Sequence, residues 1–213
     1  MKSFVITIKG HEKSQNVADR CIESGRLNGL SIEKFDAITP EQDVFKICKD
    51  LGINTDHFSD RYSRLENSIA CFLSHYTLWK ICQDINEPIV ILEHDAIITN
   101  SLPTTLPNFV GNIGNPSYGK FKTPTTLGWG KLVSKSYFPG CHAYIVTPMG
   151  AELIIKASNK EAQTPDIYLS RTRFDWLQEH YPYCAYAKDE FTTVQKKYGC
   201  LTKHNYDKNY EIL

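Results

Sequence analysis

The sequence predicts an α/β protein, a single domain over residues 1–213 built on a mostly parallel, Rossmann-like central sheet flanked by helices. Three observations carry this expectation. The β-branched run Phe4-Val-Ile-Thr-Ile8 opens the chain and passes through a polar loop into helical periodicity, the strand-loop-helix order of a nucleotide-binding unit. The apolar run from Pro88 to Thr99, Pro-Ile-Val-Ile-Leu-Glu-His-Asp-Ala-Ile-Ile-Thr, has the form of a buried parallel strand that delivers carboxylates to its C-terminal edge. The stretch before it places Ile69, Phe72, Leu73, Tyr76 and Trp79 near the 3.6-residue period, a helix with one face under the sheet.

After the first strand a helix is expected through Val17, Cys21 and Ile22 to Gly25. Only Gly10 interrupts the loop between them, so neither a dinucleotide fingerprint nor a Walker A loop is present. Thr7, Lys9 and Arg20 are candidate donor contacts, although Lys9 and Arg20 fit a solvated surface equally well. Ser31 to Ile38 reads as a second strand, and Gln42 to Leu51 as a helix stopped by Gly52. Asn67 or Ser68 can cap the helix that carries Ser74 and His75, and a His on such a face is first a hydrogen-bonded packing residue.

On a strand, Glu93 and Asp95 leave the same face and can grip one hard cation from one side, while His94 points the other way. The plainer reading is a charged strand end in solvent. Residues 100–140, rich in Pro, Gly, Asn, Thr and Lys, read as a long active-site loop, with Trp129 between two glycines as a sugar-stacking surface. Gly140 to Thr147 is expected to be another strand, which includes His142, and Thr147-Pro148 a helix start with Thr as cap and Pro in the first helical position. Asp166, after Pro165, opens a further ordered segment and suits a helix cap.

Composition narrows the classes. Lys plus Arg and Asp plus Glu number 24 each, so no global basic field exists to drive non-specific binding of nucleic acid or membrane surfaces. The seven cysteines form no CxxC pair, and an odd number suggests reduced thiols in a cytoplasmic setting. The N-terminal apolar run is too short for a signal peptide, and no run approaches the ~18 apolar residues of a membrane span.

The order of Phe4–Ile8, Asn67-Ser-Ile-Ala-Cys-Phe-Leu-Ser-His-Tyr-Thr-Leu-Trp79, Ile91-Leu-Glu-His-Asp-Ala96 and Gly140-Cys-His-Ala-Tyr-Ile-Val-Thr-Pro148 resembles glycosyltransferase family 25, the lipooligosaccharide and collagen galactosyltransferase-like group. The resemblance spans most of the chain. In that family a Ser-His pair followed by Trp precedes a Leu-Glu-Asp-Asp block, the Asp-x-Asp-type metal motif of a GT-A fold, and a Gly-x-x-Ala-Tyr strand follows. Ser74-His75 and Ala143-Tyr144 match here, Glu93 and Asp95 match the outer acids, and His94 stands at the middle Asp. The family's paired arginines after the first strand are missing, leaving Lys9, Lys13 and Arg20 nearby.

The resemblance implies a GT-A-like domain that moves a hexose, galactose or glucose, from a UDP-sugar to a glycan acceptor, as in lipopolysaccharide biosynthesis. It implies an inverting reaction that needs Mn²⁺ or Mg²⁺. Asp95 would be the direct ligand, with Glu93 completing the site or holding the donor ribose. Asp166 would take the acceptor proton, with Asp189 or Glu190 as alternatives. Thr7, Lys9, Arg20 and His94 would contact the donor, Trp129 and His142 the acceptor sugar, and Ser74 and His75 would support the site. The competing reading is a catalytically silent sugar-nucleotide or glycan binding protein of the same fold. A metal-dependent hydrolase is disfavoured, because adjacent strand residues cannot all face one ion and no HExxH spacing exists.

Overall fold

The computed structural model describes residues 1–61, 63–117, 119–138, 141–188 and 191–196, with backbone alone at 211–212. The first strand, β1 (Lys2–Thr7), leads into α1 (Glu12–Leu27), which is followed by β2 (Glu33–Asp36), α2 (Val44–Leu51) and the long α3 (Leu65–Ile85). Gly52 ends α2 in the left-handed conformation at φ 69°, where a residue without Cβ fits without strain. A short β3 (Ile89–Glu93) then runs to the acidic residues, and β4 (Ala96–Ile98) follows at once.

Beyond these lie β5 (Val110–Asn112), β6 (Gly128–Lys131), β7 (Ala143–Val146), α4 (Pro148–Ser158), the single turn α5 (Pro165–Tyr168), β8 (Gln178–Tyr181), β9 (Ala185–Ala187) and β10 (Phe191–Thr192). As the sequence predicts, Thr147 caps α4, its hydroxyl accepting from the Gly150 amide at 3.2 Å. β10 pairs with β11 (Glu211–Ile212).

The α/β class holds. Seven strands form the central sheet in the order β2-β1-β3-β7-β5-β8-β6. Its pairing is mixed rather than mostly parallel: β1 runs parallel to β2 and β3, and β5 to β8, while β7 is antiparallel to β3 and β5 and β6 is antiparallel to β8. The two faces follow from strand parity. Phe4, Ile89, Ile91, Tyr144 and Val146 join α2, α3, α4 and α5 in one core, and Val5, Val90, Leu92, Ala143 and Ile145 join α1 and the β4–β9 ribbon in the other.

Two expectations are corrected. The Pro88–Thr99 run is not one strand, because a turn at His94-Asp95 separates β3 in the central sheet from β4 in the ribbon. Residues 100–140 are not one loop, since they supply β5 and β6; their Gly, Pro and Asn content hides strands of three and four residues. Among the described residues no helix is long and apolar enough to cross a membrane, and the six described cysteines are free.

Candidate active site

Three parallel strands end at one edge of the sheet, β1 at Thr7, β2 at Asp36 and β3 at Glu93. Antiparallel β7 starts there, with the Glu93 amide donating to the His142 carbonyl at 3.0 Å. Because β2 and β3 flank β1 on opposite sides, the strand order reverses at this edge, where open α/β sheets leave a crevice for ligands.

Glu93 continues the parity of Ile89 and Ile91 and so faces α3. Its Oε1 lies 3.3 Å from His75 Nε2, and His75 Nδ1 lies 2.8 Å from the Tyr144 hydroxyl, which accepts from Trp79 Nε1 at 2.8 Å. The indole nitrogen can only donate and the phenol oxygen can accept more than once, so the fixed point of the chain is its other end, where the Glu93 carboxylate can only accept. Nε2 therefore carries the imidazole proton and donates it to Glu93, and Nδ1 accepts from the Tyr144 hydroxyl. Burial pushes the His75 imidazole down to about 3, with the Asp166 carboxylate opposing it weakly. The His75–Glu93 contact is therefore a hydrogen bond from a neutral imidazole to a carboxylate, not an ion pair.

His94 turns the opposite way. Its Nδ1 is 3.0 Å from Ser14 Oγ, which accepts from the Ile8 amide at 2.9 Å and lies 3.1 Å from Thr7 Oγ1. The acidic turn is thus tied to α1 and the end of β1. Asp95 is held through its carbonyl, which accepts from the Lys188 amide at 2.9 Å, while Arg20 donates to the Lys188 carbonyl at 3.1 Å.

Asp166 reaches the same region from a distant part of the chain. It sits on α5, a turn too short to hold itself. What holds the turn is Tyr168, fully buried, its hydroxyl donating to the Ile154 carbonyl and its ring 5.2 Å from Phe72 and 5.7 Å from Trp79 on α3. The electrostatics record the convergence. Burial raises the Cys71 thiol well above its ordinary range, and the carboxylates of Glu93, Asp166 and Asp95 raise it further. Burial raises Cys141 likewise, with Glu93 and Asp166 adding to it.

The remaining sequence candidates scatter. Thr7 is buried, with Gln15 also donating to it at 3.3 Å. Lys9 is exposed and pairs with Asp36 at 3.3 Å. Ser74 accepts from the Ile38 amide and donates to the Ala70 carbonyl, each at 2.9 Å, binding the segment after β2 to α3.

Two acceptor-contact expectations meet obstacles. His142 is only 1% exposed, with its ring against Gly114, which leaves no open face for a sugar. Trp129 lies on β6 at the far edge of the sheet, donates to the Thr105 carbonyl at 2.9 Å and lies across Gly111, so much of its ring is taken by packing. Asp189 and Glu190 lie outside the described residues. Sequence reasoning gave no role to Ser14, Cys71 or Tyr144. Cys71 left a signal in its four-residue spacing from His75 on a helix, and Tyr144 in the Ala-Tyr match, while Ser14 left none.

Residues 1–118, more than half of the chain, match the family described as glycosyltransferase family 25 (LPS biosynthesis protein). No curated protein sequence matches the chain. Among solved structures, the crystal structure of mouse xyloside xylosyltransferase 1 in its apo form is similar, with 10% identity, a TM-score of 0.43, and coverage of 90% of this chain and 87% of that one. The family match spans β1 through β5 and so includes the strand and turn that carry Glu93 and Asp95. The chain is a glycosyltransferase and belongs to glycosyltransferase family 25.

Proposed function

We propose that this transferase moves a hexose, galactose or glucose, from a UDP-sugar to a glycan acceptor with inversion at the anomeric carbon. The observation that carries the reading is the delivery of Glu93 and Asp95 by the end of β3 and the turn after it to the edge where the strand order reverses.

Mn²⁺ or Mg²⁺ suits this pair. Glu93 and Asp95 offer hard oxygen donors from the end of a strand and the following turn, the ligand chemistry such ions prefer. When bound, the ion would neutralise charge developing on the departing diphosphate. Glu93 and Asp95 would hold it, and His75 keeps the Glu93 carboxylate turned toward α3. His94, directed to Ser14, braces the turn without competing for that ion, so a histidine at the middle position is compatible with activity. Asp166 comes from a different element than the metal pair and is free of the strand's geometry. It would accept the proton of the acceptor hydroxyl as that oxygen attacks in line. Such a protein would act in the cytoplasm on a lipopolysaccharide-type glycan.

The test is UDP release from UDP-galactose and UDP-glucose with and without glycan acceptors. Asp95→Ala should abolish transfer without unfolding the protein, and full activity in excess EDTA would remove the metal role. Asp166→Asn should keep nucleotide-sugar affinity while turnover falls by roughly two to four orders of magnitude. Near-normal transfer by Asp166→Asn would shift the base to Glu190. Binding of UDP-sugars with neither transfer nor hydrolysis would mark a silent binding protein.

A further inference from the structure

We propose that Cys71, His75 and Glu93 form a second kind of cation site, one for a borderline divalent ion of the Zn²⁺ class, which shares Glu93 with the donor site and so opposes transfer when filled. Cys71 and His75 stand four residues apart on α3 and therefore on one face of the helix, and Glu93 comes to meet them from the end of β3. One ligand atom from each residue, the Cys71 thiol among them, lies within 4.8 Å of the others. His75 Nε2 and Glu93 Oε1 are 3.3 Å apart. That is about the separation of two ligands on a tetrahedral ion with bonds of roughly 2.0–2.1 Å.

The donor set decides the class of ion. A thiolate, an imidazole and one carboxylate favour Zn²⁺ or Co²⁺, whereas the oxygen pair Glu93 and Asp95 favours Mn²⁺ or Mg²⁺. The surroundings fit a site that fills from outside. Cys71 and Glu93 are partly exposed, while His75 is buried beneath them. Tyr144 lies behind His75 at Nδ1, the outer hydrogen bond that metal-binding histidines use to fix their orientation. Asp95 and Asp166 add negative potential without being needed as ligands.

Binding moves two protons. The Cys71 thiol gives its proton to solvent, and the imidazole proton shifts from Nε2 to Nδ1, where Tyr144 accepts it in place of donating. One proton is released per ion. Because Glu93 Oε1 leaves the donor site's service, Zn²⁺ should inhibit transfer in competition with Mn²⁺. The site itself stands on its ligands and does not require that the donor reading be right.

The test uses the whole chain and the metal alone. Co²⁺ added to reduced protein should give a thiolate-to-cobalt charge-transfer band that saturates at one ion per chain, is bleached by Zn²⁺, is lost in Cys71→Ser and is weakened in Glu93→Gln. Proton release measured in buffers of different ionisation enthalpy should approach one per ion. In the unmodified protein, Zn²⁺ should slow alkylation of Cys71, located by peptide mass mapping, by roughly tenfold at ten times its dissociation constant. This last measurement decides the matter even where a variant fails to fold. Absence of the band, its persistence in Cys71→Ser, or alkylation of Cys71 at an unchanged rate would overturn the proposal. A failure of UDP-sugar transfer with the cobalt band intact would instead count against the donor reading.

Discussion

Replacing Tyr144 with Phe keeps the ring, its stacking on His75 at 5.8 Å and its edge contact with Phe138 at 5.9 Å, and removes a single oxygen. That oxygen joins two otherwise buried groups, the Trp79 indole N–H and His75 Nδ1. Each group left without a partner costs about 1–3 kcal/mol. Two such costs, less the desolvation no longer suffered by the hydroxyl, give a loss of roughly 2–4 kcal/mol. At about 2–4 °C per kcal/mol for a domain of this size, Tm should fall by roughly 4–16 °C. Urea unfolding followed by circular dichroism should show a lower midpoint with an unchanged slope, since the surface exposed on unfolding is the same. A loss below about 0.5 kcal/mol, the ordinary scatter of neutral substitutions, would refute the directed chain from Trp79 to Glu93.

Three further outcomes follow from the geometry. His75 is neutral when folded, with its pKa at about 3, against about 6.5 when unfolded; the unfolded chain takes up the proton first. Its contribution should therefore be intact above pH 6.5 and lost progressively as the pH falls toward 3, by an amount of the order of 4 kcal/mol, and His75→Asn should flatten that slope in urea titrations across the range. Gly111→Ala puts a Cβ 2.2 Å from the Trp129 ring, so it should cost about 1–3 kcal/mol or more, while Gly130→Ala, whose nearest neighbour is 4.0 Å away, should leave the urea midpoint nearly unchanged. Tyr168→Phe loses the bond that anchors α5 to Ile154, so transfer should weaken more than donor binding, as measured by separate titration and turnover, if Asp166 acts from that turn.

What the sequence made legible was local. The strand Phe4–Ile8, the stop at Gly52, the apolar face of α3 and the Thr147-Pro148 cap each depend on residues within a few positions, and each was expected where it stands, within a residue or two. The cap of α3 was expected at Asn67 or Ser68 and is Arg64, which makes no side-chain capping bond and so leaves no signature in the sequence. Periodicity could not show the turn at His94-Asp95, since Ile91-Leu92 and Ala96-Ile97-Ile98 are equally apolar on either side of it.

The site was half legible for a similar reason. Glu93 and Asp95 announce themselves by adjacency. The approach of Asp166 depends on Tyr168 finding Phe72 and Trp79, contacts about 90 residues apart that no spacing encodes. Ser14 was hidden likewise, as one serine on an ordinary helix until β1 and the acidic turn close around it.

The outer strand β2 has a consequence for the protein in concentrated solution. A sheet margin presents unpaired amides and carbonyls on which a strand from another molecule can add, the first step of fibre growth. β2 offers only four residues, Glu33-Lys-Phe-Asp36, three of them charged, with Lys34 drawn to Asp19 at 2.6 Å. An approaching apolar strand would have to strip water from those charges along a ledge barely one turn of pleat long, and Pro40 soon after gives it no amide to extend onto. The margin nearest the crevice is thereby a poor template for a strand from another molecule.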